Sequence, residues 1–386
     1  MIPPSTVARP STTLDLSPIT ATITLSALAH NLSELRRLVH PTCDILAVVK
    51  ADAYGHGAPT ITQALIDLGI QRFGVATVQE GSALRAHGVT QPILVMGGLI
   101  PSHIPELIHQ RLTPVLSHED MIYALAESLP RHAPPYPVHT KVDTGMRRLG
   151  FNPESVVSWL DSKPFESKLA IEGVMTHLAD ADDSNQEFTE QQLACFQTVL
   201  THVKRAGHSI ALIHAANSAG IMYHPSSHFT MVRPGLMLYG YTTRKPRNSD
   251  IALQPVMNVS THVVHVRSAK PEEFIGYSRG FKTTRTSKIA VLPVGYAHGY
   301  SRSLSNRGMV LIQGQRVPII GKICMDMMLV DVTDLAHVGI GEEVVLVGKQ
   351  EHEEISVEEI ADSLGTLPYE VLCNIGTRAH HVYRPH

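Results

Sequence analysis

The sequence lacks a strong charge imbalance, paired cysteines and any long apolar run. Its 32 Lys and Arg stand against 35 Asp and Glu, a formal net charge of −3. That balance argues against the basic footprint of a nucleic-acid binder, although the 23 histidines titrate near neutrality and are numerous enough to cancel it. The cysteines, Cys43, Cys195, Cys324 and Cys373, are far apart with no Cys-x-x-Cys pair, which reads as reduced thiols of a cytosolic protein. No apolar run approaches the ~18 residues a membrane helix needs. Met1-Ile-Pro-Pro does not open as a signal peptide does, with a charged stretch before an apolar one. There is no His-Glu-x-x-His, His380-His381 is a poor metal cage, and Glu351-His-Glu-Glu354 reads as a solvated acidic turn, so no metal is expected. What is present is a 386-residue chain with 43% apolar residues, enough to bury a sizeable core in more than one domain.

The stretch through Pro18 is rich in Pro, Ser and Thr and reads as a flexible tail, residues 1–18. Ile19–Ile23 alternates like a strand, and Leu25–Val39 is amphipathic at helical spacing. Short apolar runs then recur at Asp44–Lys50, Arg72–Ala76, Pro92–Met96, Thr113–Leu116, Pro137–Val142, Leu169–Met175, Ile210–His214 and Thr230–Val232. Helical segments separate them: Ile61–Leu68, Gln79–Ala86, Ile104–Gln110, Met121–Ser128, Glu154–Leu160, Gln186–Ala206 and Ala219–Tyr223. Strands alternating with helices in this number fit a (β/α)8 barrel over residues 19–245, with a doubly wound open sheet as the competitor. Thr242–Asp250 reads as a linker. Beyond it, β-type runs at Val259–Val266, Lys288–Val294, Met309–Ile312, Val317–Ile323, Met328–Val332 and Val344–Val347 predict a β domain over residues 246–386, with one late helix near Val357–Leu364. The N-terminal strand is a candidate to pair with that domain.

The most informative segment is Ala47-Val-Val-Lys-Ala-Asp-Ala-Tyr-Gly-His-Gly57. Barrel residues at the carboxyl ends of strands point into the active-site mouth. A lysine leaving an apolar strand into a partly desolvated pocket has its ammonium form disfavoured and suits Schiff-base chemistry. Taken alone, Lys50 reads equally well as a lysine snorkelling from a strand end.

It does not stand alone. The segment resembles the cofactor-lysine motif of the alanine racemase family, and further blocks recur in that family's order. They are Lys141-Val-Asp-Thr-Gly-Met-Arg-Arg-Leu-Gly150, Thr176-His-Leu-Ala179, Ala215-Ala-Asn-Ser218 and Val232-Arg-Pro-Gly-Leu-Met-Leu-Tyr-Gly240, then Pro293-Val-Gly-Tyr-Ala297, Cys324-Met-Asp326 and Pro368-Tyr-Glu-Val371. The resemblance runs from Ile19 to Tyr383. It implies a barrel that binds pyridoxal 5'-phosphate followed by a β domain, interconversion of L-alanine and D-alanine, and a head-to-tail homodimer whose sites are shared between chains. It further implies a bacterial cytoplasm and supply of D-alanine to peptidoglycan.

Residue by residue, the resemblance makes Lys50 the anchor of the cofactor, as an internal aldimine, and one acid/base. Tyr296 is the second acid/base on the opposite face, as proton removal from one side and return to the other requires. Arg233 faces the pyridine nitrogen, where a permanent cation disfavours protonation and weakens the electron sink. Ser218, Gly235 and Leu236 match phosphate ligands, the last two through backbone N–H groups, and agree with the phosphate site barrels often build after strands 7 and 8. Tyr54 and Tyr369 match tyrosines of that site, and Asn217 belongs to it as well. His177 adjoins the cofactor ring. Arg148 lies near the cofactor hydroxyl and the substrate carboxylate, while Arg147, where the family usually shows glycine, reads as a surface charge. Lys141 matches a lysine that many members carry as a carbamate, an anion able to hold Arg148. Met325 offers its backbone N–H to the substrate carboxylate, and Asp326 buttresses that turn.

Other readings weighed against this are a racemase of larger amino acids, a decarboxylase on the related barrel, and a non-catalytic cofactor-binding protein. The last lacks a second domain, and Tyr296 with Cys324-Met-Asp326 fits the decarboxylase poorly. The chain departs from the family pattern at His298, where aspartate is usual, and at Met327, where glutamine is usual. A histidine this close to Tyr296 makes the rate depend on pH near neutrality. Exchanging His298→Asp is expected to change the pH–rate profile; a profile unchanged by the exchange contradicts that.

Overall fold

The computed structural model describes residues 17–162, 168–244 and 251–384. The expected tail, apart from Ser17 and Pro18, and residues 245–250 of the expected linker lie outside the described residues.

A first strand, β1 (Thr20–Thr24), leads into the helix Leu25–Leu38. Eight strands follow, within a few residues of the predicted runs: β2 (Asp44–Val48), β3 (Arg72–Val75), β4 (Ile93–Val95), β5 (Thr113–Leu116), β6 (Tyr136–Lys141), β7 (Leu169–Met175), β8 (Leu212–His214) and β9 (Met231–Val232). They pair in parallel in the order β8-β7-β6-β5-β4-β3-β2-β9. No ladder joins β8 to β9, but Thr230 N–H donates to Ile213 O (3.1 Å) and Arg233 N–H to Ala216 O (2.9 Å) across the seam. The sheet is thus a nearly closed barrel and not a doubly wound sheet. Parallel strands covered on both faces must be apolar throughout, and β4 and β5 are buried at every position. The intervening helices turn one apolar stripe inward. In Glu187–Arg205 that stripe is Leu193, Phe196, Leu200 and Val203.

The barrel interior holds polar groups as well. His139 on β6 and His214 on β8 are both buried, and His139 Nδ1 lies 2.8 Å from His214 Nε2. Gly173 on β7 lies opposite His139 in the register, and a Cβ there would meet His139 Nδ1 at 2.3 Å. Glycine at this point of β7 lets the two imidazoles meet across it.

The second domain is built from β10 (Met257–His262), β11 (His265–Ala269), β12 (Phe274–Ile275), β13 (Phe281–Lys282), β14 (Ser287–Leu292), β15 (Met309–Ile312), β16 (Gln315–Ile320), β17 (Met328–Asp331), β18 (Glu343–Gln350), β19 (Glu353–Ile355) and β20 (His380–Arg384). Its main sheet runs β11-β14-β17-β16-β15-β18-β10-β1-β20. β1 enters it antiparallel to β10 and parallel to β20, with Ala21 and Ile23 buried between. The run Val259–Val266, predicted as one strand, is two. Val263 N–H turns to Glu342 O and Val264 N–H to Val291 O, so β10 and β11 join different neighbours. The single late helix is also corrected. After Val357–Leu364 comes a second, Pro368–Gly376, with proline in its first turn and Val371, Leu372 and Ile375 buried. Its apolar stripe is too short to stand out by periodicity. It packs against residues 50–55 and so brings Tyr369 to the barrel mouth.

Burial carries a consequence for acid stability. His56, His139 and His214 are all driven below the ordinary histidine range by burial, the first two to about 3. The unfolded chain takes up protons below about pH 6.5 that the folded chain refuses, so stability falls as pH drops through that point. Each such histidine is expected to cost about 2 kcal/mol at pH 5 relative to neutrality. Urea unfolding at pH 7 and pH 5 checks this; equal stabilities contradict it.

Candidate active site

At the carboxyl ends of the barrel strands lies a cavity of about 550 Å3, a size typical of sites for small ligands. Its wall carries Lys50 and Tyr54 from after β2, Lys141 from the end of β6, Arg148, and His177 from after β7. Asn217 and Ser218 follow β8, Arg233, Gly235 and Leu236 follow β9, and Tyr369 comes from the helix Pro368–Gly376. Every residue predicted for the site lines this cavity except Tyr296 and Met325. Those two lie in the β domain, 43% and 59% exposed, and Tyr296 borders a separate cavity.

Lys50, Lys141, Arg148 and Arg233 face the barrel-mouth cavity, and among the described residues no Asp or Glu lines it. Burial, helped by Arg148 and Arg233, lowers both lysines from the ordinary range, Lys141 to about 8. Burial brings the Arg233 guanidinium down to about 9, still charged at neutral pH. A cavity with this wall favours an anion.

Arg233 is 3% exposed and held by Nη2 bonds to Thr176 O (2.9 Å), Ala215 O (2.9 Å) and His177 Nδ1 (3.1 Å). Its Nη1 donates to His214 Nδ1 at 3.1 Å. A guanidinium only donates, so His214 Nδ1 is bare and the neutral ring carries its proton on Nε2, which donates to His139 Nδ1. His177 Nδ1 is bare by the same logic, and burial followed by Arg233 holds that ring well below the ordinary histidine range. Gln192 Nε2 fixes the His177 carbonyl at 3.1 Å. Among the described residues nothing accepts from Arg233 Nε. His214, His139 and Gln192 escaped the sequence reading, because only the folded barrel brings His214 to Arg233, His139 to His214 and Gln192 to the His177 carbonyl.

The predicted strand over Asp44–Lys50 stops at Val48. From Ala51 to Tyr54 four non-glycine residues run at φ 51–55°, a left-handed turn directly after Lys50. Such a turn costs roughly 1–2 kcal/mol per residue. It is held by Ala53 N–H to Val49 O (2.9 Å), Gly57 N–H to Asp52 O (3.0 Å), Ala58 N–H to Asp52 Oδ1 (2.7 Å) and Ala51 N–H to Glu80 Oε1 (2.7 Å). Glu80 was also missed, though Thr77-Val-Gln-Glu80 carries the capping-box pattern that the structure forms. Arg148 sits on a loop shaped by Asp143, whose carboxylate accepts from Gly145 N–H (2.9 Å) and Arg147 N–H (3.1 Å). Arg147 itself is exposed.

Ser218 Oγ accepts from Gly235 N–H (3.0 Å) and Met237 N–H (3.2 Å). Both of its lone pairs are thereby used, leaving the hydroxyl proton to donate. Asn217 Oδ1 caps the helix Ser218–Tyr223 by accepting from Gly220 N–H (2.9 Å). Tyr54, 5% exposed, packs 5.7 Å from the Tyr369 ring, and burial pushes the Tyr369 phenol up to about 12, so it stays a donor. Pyridoxal phosphate fits these residues. It needs an amine for its aldehyde, donors and cations for its phosphate, and an N–H for its ring nitrogen, and the wall supplies each.

Tyr296 opens a short 3-10 turn, Tyr296–His298, docked on a second turn: Tyr296 N–H donates to Cys324 O (3.1 Å) and Ala297 N–H to Met325 O (2.8 Å). Cys324 N–H to Met327 O (2.9 Å) closes that second turn. Among the described residues the Asp326 carboxylate makes no hydrogen bond, so backbone groups hold the turn. His298 Nδ1 accepts from Gly295 N–H at 3.2 Å, a bond a protonated imidazole cannot make.

A Cβ at Gly235 would stand 2.4 Å from Tyr54 Oη. Gly235→Ala is therefore expected to displace Tyr54 and weaken pyridoxal phosphate binding about tenfold or more, read by fluorescence titration. Unchanged affinity contradicts this assignment of the cradle.

The alanine racemase N-terminal domain profile matches residues 23–243, and the C-terminal domain profile matches residues 256–383. An alanine racemase of Methanococcus maripaludis is 41% identical over 95% of this chain and 98% of its own length. Among solved structures, an alanine racemase of Clostridium difficile 630 superposes with a TM-score of 0.91 at 34% identity, covering 96% of this chain and 97% of the other. The Bartonella henselae alanine racemase, described with covalently bound pyridoxal phosphate, gives 0.85 at 32% identity over 95% of this chain and 99% of its own. With both domain profiles matched in order and relatives aligned over nearly the whole length, the chain belongs to the alanine racemase family.

Proposed function

We propose that this protein is a pyridoxal-phosphate-dependent alanine racemase that interconverts L-alanine and D-alanine. The observation that carries the reading is the carboxylate-free cavity in which Lys50, Arg233 and the Ser218–Gly235 cradle meet. When bound there, pyridoxal phosphate supplies the electron withdrawal that makes the substrate's Cα hydrogen removable.

The chain's own residues do the rest. Lys50 Nζ anchors the cofactor and then holds or returns the Cα proton on one face, a role suited to an amine that burial keeps below the ordinary lysine range. Ser218 Oγ–H, the Leu236 amide, Asn217, Tyr54 and Tyr369 would hold the phosphate end, while the Gly235 N–H, expected as a phosphate donor, instead donates to Ser218 Oγ and orients that hydroxyl. Arg233 Nε would be the donor offered to the ring nitrogen, and a cation there, with no Asp or Glu on the described wall, would disfavour protonating the ring. His177, on the same wall, would adjoin the ring. Arg148 takes the substrate carboxylate.

Tyr296 and Met325 do not line their own chain's cavity, so the opposite-face proton carrier comes from a second copy. We infer a head-to-tail homodimer in which Tyr296 and the Met325 N–H of one chain complete the site of the other. We also infer that Lys141, 4% exposed and lowered to about 8, is carbamylated. Its neutral amine adds to the carbon of CO2 and loses a proton, placing an anion beside Arg148 and Arg233. No described helix is long and apolar enough to cross a membrane; we place the enzyme in the cytoplasm, supplying D-alanine for peptidoglycan.

Incubating the holoenzyme with L-alanine in heavy water, followed by chiral separation and mass analysis, tests the reading. The expected product is D-alanine carrying one deuterium, absent with Lys50→Ala. Exchange of one enantiomer without inversion contradicts the role of Tyr296. No exchange with either enantiomer contradicts the assigned activity.

A further inference from the structure

Glu80 belongs to no part of the machinery described above, yet its carboxylate joins two loops at the barrel mouth. Oε1 accepts from Ala51 N–H at 2.7 Å, while Oε2 accepts from Ala76 N–H at 2.6 Å and Thr77 N–H at 3.1 Å. Ala51 is the first residue of the left-handed turn that follows Lys50, and Ala76 and Thr77 form the loop after β3. The other bonds of the turn, through Asp52 and Val49, hold its later residues. Among the described residues, Glu80 is what ties the N–H of its first strained residue to the loop after β3.

A side chain that only capped its helix would not need this reach. The capping box of Val78–Ala86 is complete with Thr77 Oγ1 accepting from Glu80 N–H (3.1 Å) and the carboxylate accepting from Thr77 N–H. The additional bond to Ala51 crosses to the lysine's own loop. Charge acts in the same direction. Arg148 and Arg233 oppose a charged Lys50 amine, while Glu80 favours it. Glu80 therefore supplies a carboxylate from behind a wall that has none.

We propose that Glu80 positions Lys50, its carboxylate clamping the left-handed turn after the lysine to the loop that follows β3. The clamp sets where Nζ enters the cavity and keeps a negative charge at its back. This rests on the reading of Lys50 as the cofactor lysine.

The test compares the wild type with Glu80→Gln, Glu80→Asp and Thr77→Ala. Glutamine is isosteric but loses the charge and one acceptor; aspartate keeps the charge but is too short to bridge both loops; Thr77→Ala loosens the helix cap and leaves the carboxylate. Readouts are the rate of pyridoxal phosphate uptake by the full cofactor-free chain, the pH midpoint for amine-reactive labelling of Lys50, and kcat and KM of the reconstituted enzyme. Glu80→Gln is expected to slow uptake and lower kcat by about tenfold or more, and to move the labelling midpoint to lower pH. Glu80→Asp is expected to slow uptake while leaving that midpoint near the wild type. Thr77→Ala is expected to lower Tm and change neither.

If Glu80→Gln lowers Tm but leaves uptake and the labelling midpoint unchanged, Glu80 is a helix cap and the proposal fails. Borohydride reduction of the wild type with pyridoxal phosphate, followed by peptide mass analysis, separates the two levels. Label found elsewhere than Lys50 overturns the reading of the site; label on Lys50 with an indifferent Glu80→Gln overturns this inference alone.

Discussion

Lys50, Arg148 and Arg233 around one cavity, with no Asp or Glu among the described residues of its wall, are the constraint on which the rest of this structure depends. Desolvation and mutual repulsion both oppose the charges, so the groups that hold a cation there decide how much of its charge is left to act. Arg233 is the clearest instance. Two carbonyls and two bare imidazole nitrogens surround its guanidinium. None is anionic, so its charge is left to act on whatever occupies the cavity. A carboxylate in the place of His177 or His214 would satisfy the same hydrogen bonds and cancel the field.

This explains why histidines are buried here at a cost in acid stability. Only a neutral acceptor that takes an N–H and passes a proton onward suits the chain Arg233–His214–His139, and its geometry fixes the tautomer of both rings. The strained turn after Lys50 is a second expense of the same kind. Four residues held at positive φ aim one lysine, and bonds from Asp52, Val49 and Glu80 keep them there. Both features concentrate at the carboxyl ends of the barrel strands, the end where this fold gathers its chemistry.

How much of this was legible in the sequence depended on whether a feature is local. The eight barrel strands announce themselves as apolar runs because parallel strands are buried on both faces. Ser218, Gly235 and Leu236 could be proposed as a phosphate cradle because they follow the last two of those strands. The left-handed turn could not be foreseen, since Ala51–Tyr54 contains no glycine and tertiary bonds impose the conformation. Nor could the His139–His214 pair. The two lie 75 positions apart among 23 histidines, and Gly173 between them has meaning only once the register is known. The helix Pro368–Gly376 was read for its tyrosine and not for its short apolar stripe. Tyr296 was found by motif, while the structure adds that its own chain's cavity excludes it.

That exclusion makes complementation the most direct measurement. Lys50→Ala and Tyr296→Phe chains are each expected to be inactive alone. Produced together, a hybrid dimer contains one site with an intact lysine from one chain and an intact tyrosine from the other. Random pairing should then restore about a quarter of wild-type racemisation. Activity that stays absent in a mixture shown to contain hybrid dimers would contradict a site assembled from two chains.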